Sequence, residues 1–211
     1  MANMTFYYST MNAGKTIDVI KTAFNYETEG IPFLIFTSAI DTRSGINKIK
    51  SRMGMEKEAI SINKDDDLFK KINKLPHKLG CILIDEVQFF TIEQIWQLFH
   101  ITHKLQIPVV CYGLRGDFMG KPFPASAQLM AIANKVEEIR TICWCGRKAI
   151  MNARIIDGKV VREGEQVMVG GNESYKALCG IHYLNGQHEK KKSIFTKLIE
   201  KLQTIIRYLL E

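Results

Sequence analysis

The chain predicts an α/β fold, a P-loop NTPase-like parallel sheet flanked by helices, followed by a small zinc-ribbon-like domain. Three observations carry this expectation. Apolar strand-like runs alternate with amphipathic helical patterns through residues 1–141. The first of these runs leads through a small-residue loop into Gly14-Lys15-Thr16. After residue 142, three cysteines and a histidine fall in two tight pairs.

The elements follow in order. Strands are expected at 4–8, 32–38, 80–85 and 107–113, with a last one near 135–142. Helices are expected at 14–28, 91–105 and about 125–134. The first helix carries Ile17, Ile20, Ala23 and Phe24 on one face. The second opens with T-I-E-Q, a capping-box pattern, and places Ile92, Ile95, Trp96, Phe99 and His100 at helical spacing. His100 and His103 read as packed or solvated helix residues, not metal ligands. Residues 39–78 are polar, without a long apolar run, and read as a helix with mobile connecting loops. Further on, Asp157-Gly158 between two β-rich runs signals a hairpin, and Gly170-Gly171-Asn172 a flexible loop.

Strand, loop and helix in that order form the setting of a phosphate-binding loop. Gly14 lets the backbone approach phosphate oxygens, and N–H groups at the helix N-terminus point at the anion. Lys15 adds a full charge, and Thr16 offers a hydroxyl where Mg²⁺ would sit. Ser9 stands where the G-x-x-x-x-G-K-[ST] pattern has its first glycine.

The run C-I-L-I-D-E at 81–86 has the pattern of a buried parallel strand ending in Asp85 and Glu86. Ligands of such sheets bind outside the carboxyl ends of the strands. Asp85 is thereby placed to hold Mg²⁺ and Glu86 to accept a proton from a nucleophile.

Composition narrows the class. The 211 residues are 46% hydrophobic and 24% charged, ordinary for a globular chain. No run approaches the roughly 20 apolar residues of a membrane span, and the first residues lack the pattern of a signal peptide. A cytoplasmic location is expected. The net charge of +7 is spread along the chain, apart from Lys190-Lys191-Lys192, so nucleic acid is not the expected partner. Five cysteines, an odd number, argue against a disulfide framework. Cys81 and Cys111 lie in apolar runs and read as small buried hydrophobes.

Cys143, Cys145, Cys179 and His182 remain. Three thiols and an imidazole can close a tetrahedral zinc site, with two strands between the pairs. Four protein ligands leave no open position, so the metal would be structural. A unit of about 45 residues has too little core to stand alone, which a metal would offset.

The combination of M-N-A-G-K-T, I-D-E-V-Q-F-F and a Cys₃His appendage resembles the small, type II class of thymidine kinases. The likeness covers about residues 3–185 and is strongest to bacterial members, which share Y-Y-S-x-M-N-A-G-K, C-Y-G-L-R-x-D-F and C-x-C-G-R-K-A. Ser9 and the C-x-C spacing agree with that branch. The resemblance implies phosphoryl transfer from MgATP to the 5′-hydroxyl of thymidine. Ser9, Thr10, Met11, Asn12, Ala13, Gly14, Lys15 and Thr16 would hold the ATP phosphates, with Mg²⁺ near Thr16 and Asp85. Glu86 would be the general base, with Val87 and Gln88 beside it. Lys15 and Arg43, in D-T-R, would neutralise charge on the transferring group, with Arg52 as the alternative arginine. Met11, Gln88, Leu114, Phe118 and Phe123 would lie near thymidine. Residues 163–175 resemble the family's lasso loop and would cover the base with Val169, Gly170 and Tyr175. The resemblance also implies a homotetramer and feedback inhibition by dTTP.

Three units are expected: the nucleotide-binding domain at 1–141, the zinc-binding domain with its lasso at 142–187, and an amphipathic helix at 188–211. In the last, Ile194, Phe195, Leu198, Ile199, Leu202, Ile205, Ile206, Leu209 and Leu210 recur at three- and four-residue spacing. Packing on this subunit or a neighbour is the favoured role, ahead of membrane association. The competing class is a zinc-ribbon ATPase acting on DNA, in which Glu86 would activate water. Such a motor needs clustered basic and aromatic residues for the strand, which this chain lacks.

Overall fold

The computed structural model describes residues 1–42, 45–76, 78–167 and 175–190. Its centre is a six-stranded parallel sheet made of β1 (Met4–Ser9), β2 (Phe33–Ser38), β5 (Ile60–Ile62), β6 (Cys81–Ile84), β7 (Val109–Leu114) and β8 (Lys135–Glu138). The spatial order is β5-β2-β6-β7-β1-β8. Every neighbouring pair runs parallel, so the ends at Ser9, Ser38, Ile84 and Leu114 all emerge on one side.

The central strands are apolar on both faces because helices cover both. On one face, Val19 and Ala23 of α1 (Lys15–Thr28) pack with Cys81, Leu83 and Tyr112. On the other, Ile82, Ile84 and Cys111 pack against α2 (Leu68–Asn73), α3 (Ile92–Lys104) and α4 (Pro124–Ile132). Cys81 and Cys111 are fully buried strand residues, as expected. Burial pushes both thiols above their usual range.

Two helix faces differ from the periodicity. In α1 the buried positions are Lys15, Val19 and Ala23, whereas Phe24 is exposed. Lys15 turns inward to serve the preceding loop, which rotates the buried stripe. In α3 the buried positions are Gln94, Ile95, Leu98, Ile101 and Thr102, whereas Ile92 and Trp96 are exposed. Gln94 is drawn inward because its amide donates to the carbonyls of Asn63 at 2.7 Å and Asp66 at 3.2 Å. The expected capping box is present, with Thr91 and Gln94 bonding reciprocally.

Residues 39–78 hold more than a helix and loops. A hairpin of β3 (Lys48–Lys50) and β4 (Glu56–Glu58) precedes β5, which extends the central sheet beside β2. Three-residue strands give too short an alternation to read as a period.

The second unit is a three-stranded antiparallel sheet, β10-β9-β11, with α5 (Gly180–Leu184). β9 (Met151–Ile156) and β10 (Lys159–Val161) form the expected hairpin, with Asp157 and Gly158 at φ 50° and 71°. β11 (Tyr175–Leu178) is a third strand, not foreseen, which delivers Cys179 to the first cysteine pair. The tail from residue 191 lies outside the described residues.

Candidate active site

The loop from Ser9 to Gly14 reverses direction through left-handed backbone at Asn12 (φ 65°) and Gly14 (φ 83°). Gly14 relieves the steric cost of that conformation at the entrance to α1. Lys15 is 7% exposed and folds back over the loop, donating to Ser9 Oγ at 3.0 Å and to the Thr10 carbonyl at 3.3 Å. The serine in place of the first glycine thus gives the lysine an anchor.

Thr16 Oγ1 donates to Asp85 Oδ2 at 2.9 Å, joining the start of α1 to the end of β6. Burial, with the Glu86 charge adding to it, pushes the Asp85 carboxyl above its usual range; Thr16 and Lys15 oppose this. A hydroxyl facing a buried carboxylate is a hard-oxygen donor set, which suits Mg²⁺. Glu86 has φ 52°, a strained conformation for a residue with a Cβ. Its amide donates to Asp85 Oδ1 at 3.0 Å, and its carboxylate accepts from Gln88 Nε2.

Gln88 lies in a short 3-10 turn, Val87–Phe89, and is buried. Its Oε1 accepts from the Leu114 amide at 3.0 Å, so one side chain ties Glu86 to the end of β7. It fits because Gly113 has no side chain. A Cβ there would lie 2.8 Å from Val87 Cγ1 and 2.9 Å from Gln88 Oε1.

One cavity of about 490 Å³ joins these groups. At one end it is walled by Gly14, Lys15, Thr16, Asp85 and Glu86, and Asp41 and Arg52 also line it. The rest is largely apolar, with Met11, Leu114, Phe118, Phe123 and Tyr175 on its wall and Gln88 between the two regions. Asn12 and Ala13 also reach it. Ser9 and Thr10 instead border a smaller pocket behind the loop, and Val87 is buried in the core. Phe123 is largely buried yet reaches the cavity, edge-on to Phe89. Arg43, Val169 and Gly170 lie outside the described residues.

The second unit contributes residues that sequence reading missed. Asn152 on β9 accepts from the Met11 amide at 2.8 Å and donates to the Gly116 carbonyl at 2.7 Å. Gln166 donates to Asp117 Oδ2 at 3.0 Å. Arg154, two positions after Asn152 and on the same face of β9, is also buried. Two polar residues at i and i+2 in the run A-I-M-N-A-R-I-I were the available signal.

Cys143, Cys145, Cys179 and His182 converge as expected, with their four ligand atoms within 4.8 Å of one another. Cys143 Sγ and Cys179 Sγ lie 3.3 and 3.5 Å from His182 Nδ1, and Cys145 Sγ lies 3.9 Å from Cys179 Sγ. A tetrahedron with Zn–S bonds of 2.3 Å has edges of about 3.8 Å, so the group could hold zinc. Trp144 stacks on the His182 ring at 4.0 Å.

Known proteins are similar to this chain over nearly its whole length. The profile of the family described as Thymidine kinase matches residues 2–183. A thymidine kinase of Francisella tularensis subsp. holarctica (strain LVS) is 44% identical over 197 residues, covering 90% of this chain and 100% of that one. One from Legionella pneumophila subsp. pneumophila (strain Philadelphia 1) is 48% identical over 193 residues, covering 90% and 92%. One from Lactococcus lactis subsp. lactis (strain IL1403) is 46% identical over 184 residues, covering 87% and 97%. The matched span includes the Gly14-Lys15-Thr16 loop, the Asp85-Glu86 pair and all four Cys₃His residues: the chain belongs to the thymidine kinase family.

Proposed function

We propose that this enzyme transfers the γ-phosphoryl group of MgATP to the 5′-hydroxyl of thymidine, with Glu86 as general base. The observation that carries this is the single cavity joining the Lys15 loop and the Asp85-Glu86 pair to an apolar, aromatic wall. An uncharged pyrimidine suits that wall, with few polar groups to orient it.

Phosphoryl transfer depends on positioning and charge neutralisation more than on covalent help. Lys15 and the N–H groups opening α1 bind the phosphates. Thr16 and Asp85 would hold Mg²⁺, which would supply neutralisation of phosphate charge. Arg43, by family likeness, would neutralise charge on the transferring group, with Arg52 as a second cation on the cavity. Glu86 receives the hydroxyl proton, and the bond from Gln88 fixes the orientation of its carboxylate. Met11, Leu114, Phe118, Phe123 and Tyr175 contact the nucleoside; Val169 and Gly170 join the substrate-binding set on family likeness alone.

The Cys₃His group is read as a structural zinc site, supported by ligand spacing and a closed donor set. The division at 141/142 follows the change from parallel to antiparallel sheet; a third segment at 188–211 rests on its amphipathic sequence pattern alone. No described helix is long and apolar enough to cross a membrane. A cytoplasmic homotetramer inhibited by dTTP is the accompanying reading, resting on family likeness.

The test is transfer of labelled γ-phosphate from ATP, with thymidine, deoxycytidine, deoxyadenosine and single-stranded DNA in parallel. Labelled dTMP formed only with thymidine is the expected result. DNA-stimulated ATP hydrolysis without labelled nucleotide would overturn the reading.

A further inference from the structure

Arg154 is a cation with 3% of its surface exposed, and it does not line the cavity. Its described contacts are to neutral groups. Nε donates to the Tyr175 hydroxyl at 2.6 Å, and Nη2 donates to the Gln166 carbonyl at 3.4 Å. The guanidinium carbon lies 3.7 Å from the centre of the Phe118 ring and 5.3 Å from that of Tyr175. Tyr175 and Phe118 both face the cavity, so Arg154 stands directly behind two residues of its aromatic wall.

A guanidinium is always protonated and has donors only. In its bond with Arg154, the Tyr175 oxygen must therefore accept. The hydroxyl's own proton is left for another acceptor, and Tyr175 lines the cavity. Stacking on a planar cation also restrains Phe118, since the attraction depends on the ring face lying over the charge.

We propose that Arg154 is a positioning residue for the nucleoside end of the cavity. By donating to the Tyr175 hydroxyl it directs that hydroxyl's proton to an acceptor oxygen of the bound nucleoside, and by stacking it holds Phe118 as the adjoining wall. The proposal rests on the thymidine reading above and adds to it a group that never touches the substrate.

The test is a steady-state comparison of wild type, R154M, Y175F and the double variant, varying thymidine and ATP separately. Arg154→Met keeps the apolar stem and removes the donors; Tyr175→Phe removes only the hydroxyl. Each single variant is expected to raise the thymidine KM about five- to tenfold, the effect of one hydrogen bond, with the ATP KM within about twofold. The double variant is expected to be no worse than the worse single one, because the two residues act through one hydroxyl. An unchanged thymidine KM in R154M would overturn the proposal. So would parallel loss of ATP affinity and kcat, which marks general damage, or effects of the two substitutions that multiply. Should R154M fail to fold, R154K carries the same test, since it keeps the charge but neither the planar stack nor the Nε donor. Absence of thymidine phosphorylation by the wild type would instead refute the underlying reading, and the same assay shows this before any variant is compared.

Discussion

Gly113→Ala tests whether Glu86, proposed as the general base, is held by packing at the end of β7. The new methyl would lie 2.8 Å from Val87 Cγ1, 2.9 Å from Gln88 Oε1 and 3.3 Å from the Gln88 backbone nitrogen. Carbon contacts are most favourable from about 3.5 Å, so the neighbours must retreat by about 0.6–0.7 Å. Val87 cannot yield easily, being fully buried in the core. Overpacking of this kind costs about 1–3 kcal/mol. At about 2–4 °C per kcal/mol for a chain of this size, Tm should fall by about 2–12 °C. Activity should fall more than stability implies, because the displaced Gln88 bonds both Glu86 and the Leu114 amide. A shift approaching 1 Å at a positioned group costs up to about 100-fold in rate, so a kcat loss of about 10- to 100-fold is expected. Calorimetry and thymidine kinase assays on G113A, Q88A and the double variant measure both effects. In the Q88A background one of the two clashing side chains is gone, so the alanine should cost less there. Wild-type Tm and kcat in G113A, or full additivity with Q88A, would refute the argument.

Three further outcomes are expected. Glu86→Gln should lower kcat by about 100- to 10,000-fold while leaving ATP affinity nearly intact; equal loss of ATP binding, read by calorimetry, would point to a metal or structural role. Asp85→Asn should abolish Mg²⁺-dependent transfer yet stabilise the unliganded protein. Burial raises the Asp85 pKa in the folded state, so its ionised form is destabilising, and that cost grows as pH rises from the ordinary carboxylate range through the raised folded value. The Tm advantage of D85N without nucleotide or Mg²⁺ should therefore be larger at about pH 8.5 than at about pH 5, and the opposite trend would contradict the assignment. Cys179→Ala should remove the bound metal, read as zinc content per chain, and lower Tm by about 10 °C or more. Unchanged metal content and stability would rule out the zinc site.

What could be read from the sequence is what the chain stores locally. The Gly14-Lys15-Thr16 loop was legible because its glycine, lysine and hydroxyl are consecutive and lie between a strand and a helix period. Asp85 and Glu86 were legible because they terminate a four-residue apolar strand. The Cys₃His group was legible because metal ligation demands particular side chains in close pairs, which survive as spacing even 34 residues apart. The buried faces of α1 and α3 were only half legible. Each contains a polar residue, Lys15 or Gln94, that is drawn inward by hydrogen bonds the helical period does not encode.

By itself, then, the sequence determined the parallel α/β class, the Gly14-Lys15-Thr16 loop between strand and helix, the carboxylate pair and the convergence of the Cys₃His group. The tertiary structure alone decided how the loop and the carboxylate pair come to line one cavity. Asn152 meets the Met11 amide across 141 positions of chain. Arg154 reaches Phe118 only because the second sheet packs against the loop after β7. Gly113 matters only because Gln88 crosses above it. Such contacts depend on the relative placement of packed layers, which is set by burial summed over many residues and leaves no periodic or local mark on the residues that meet.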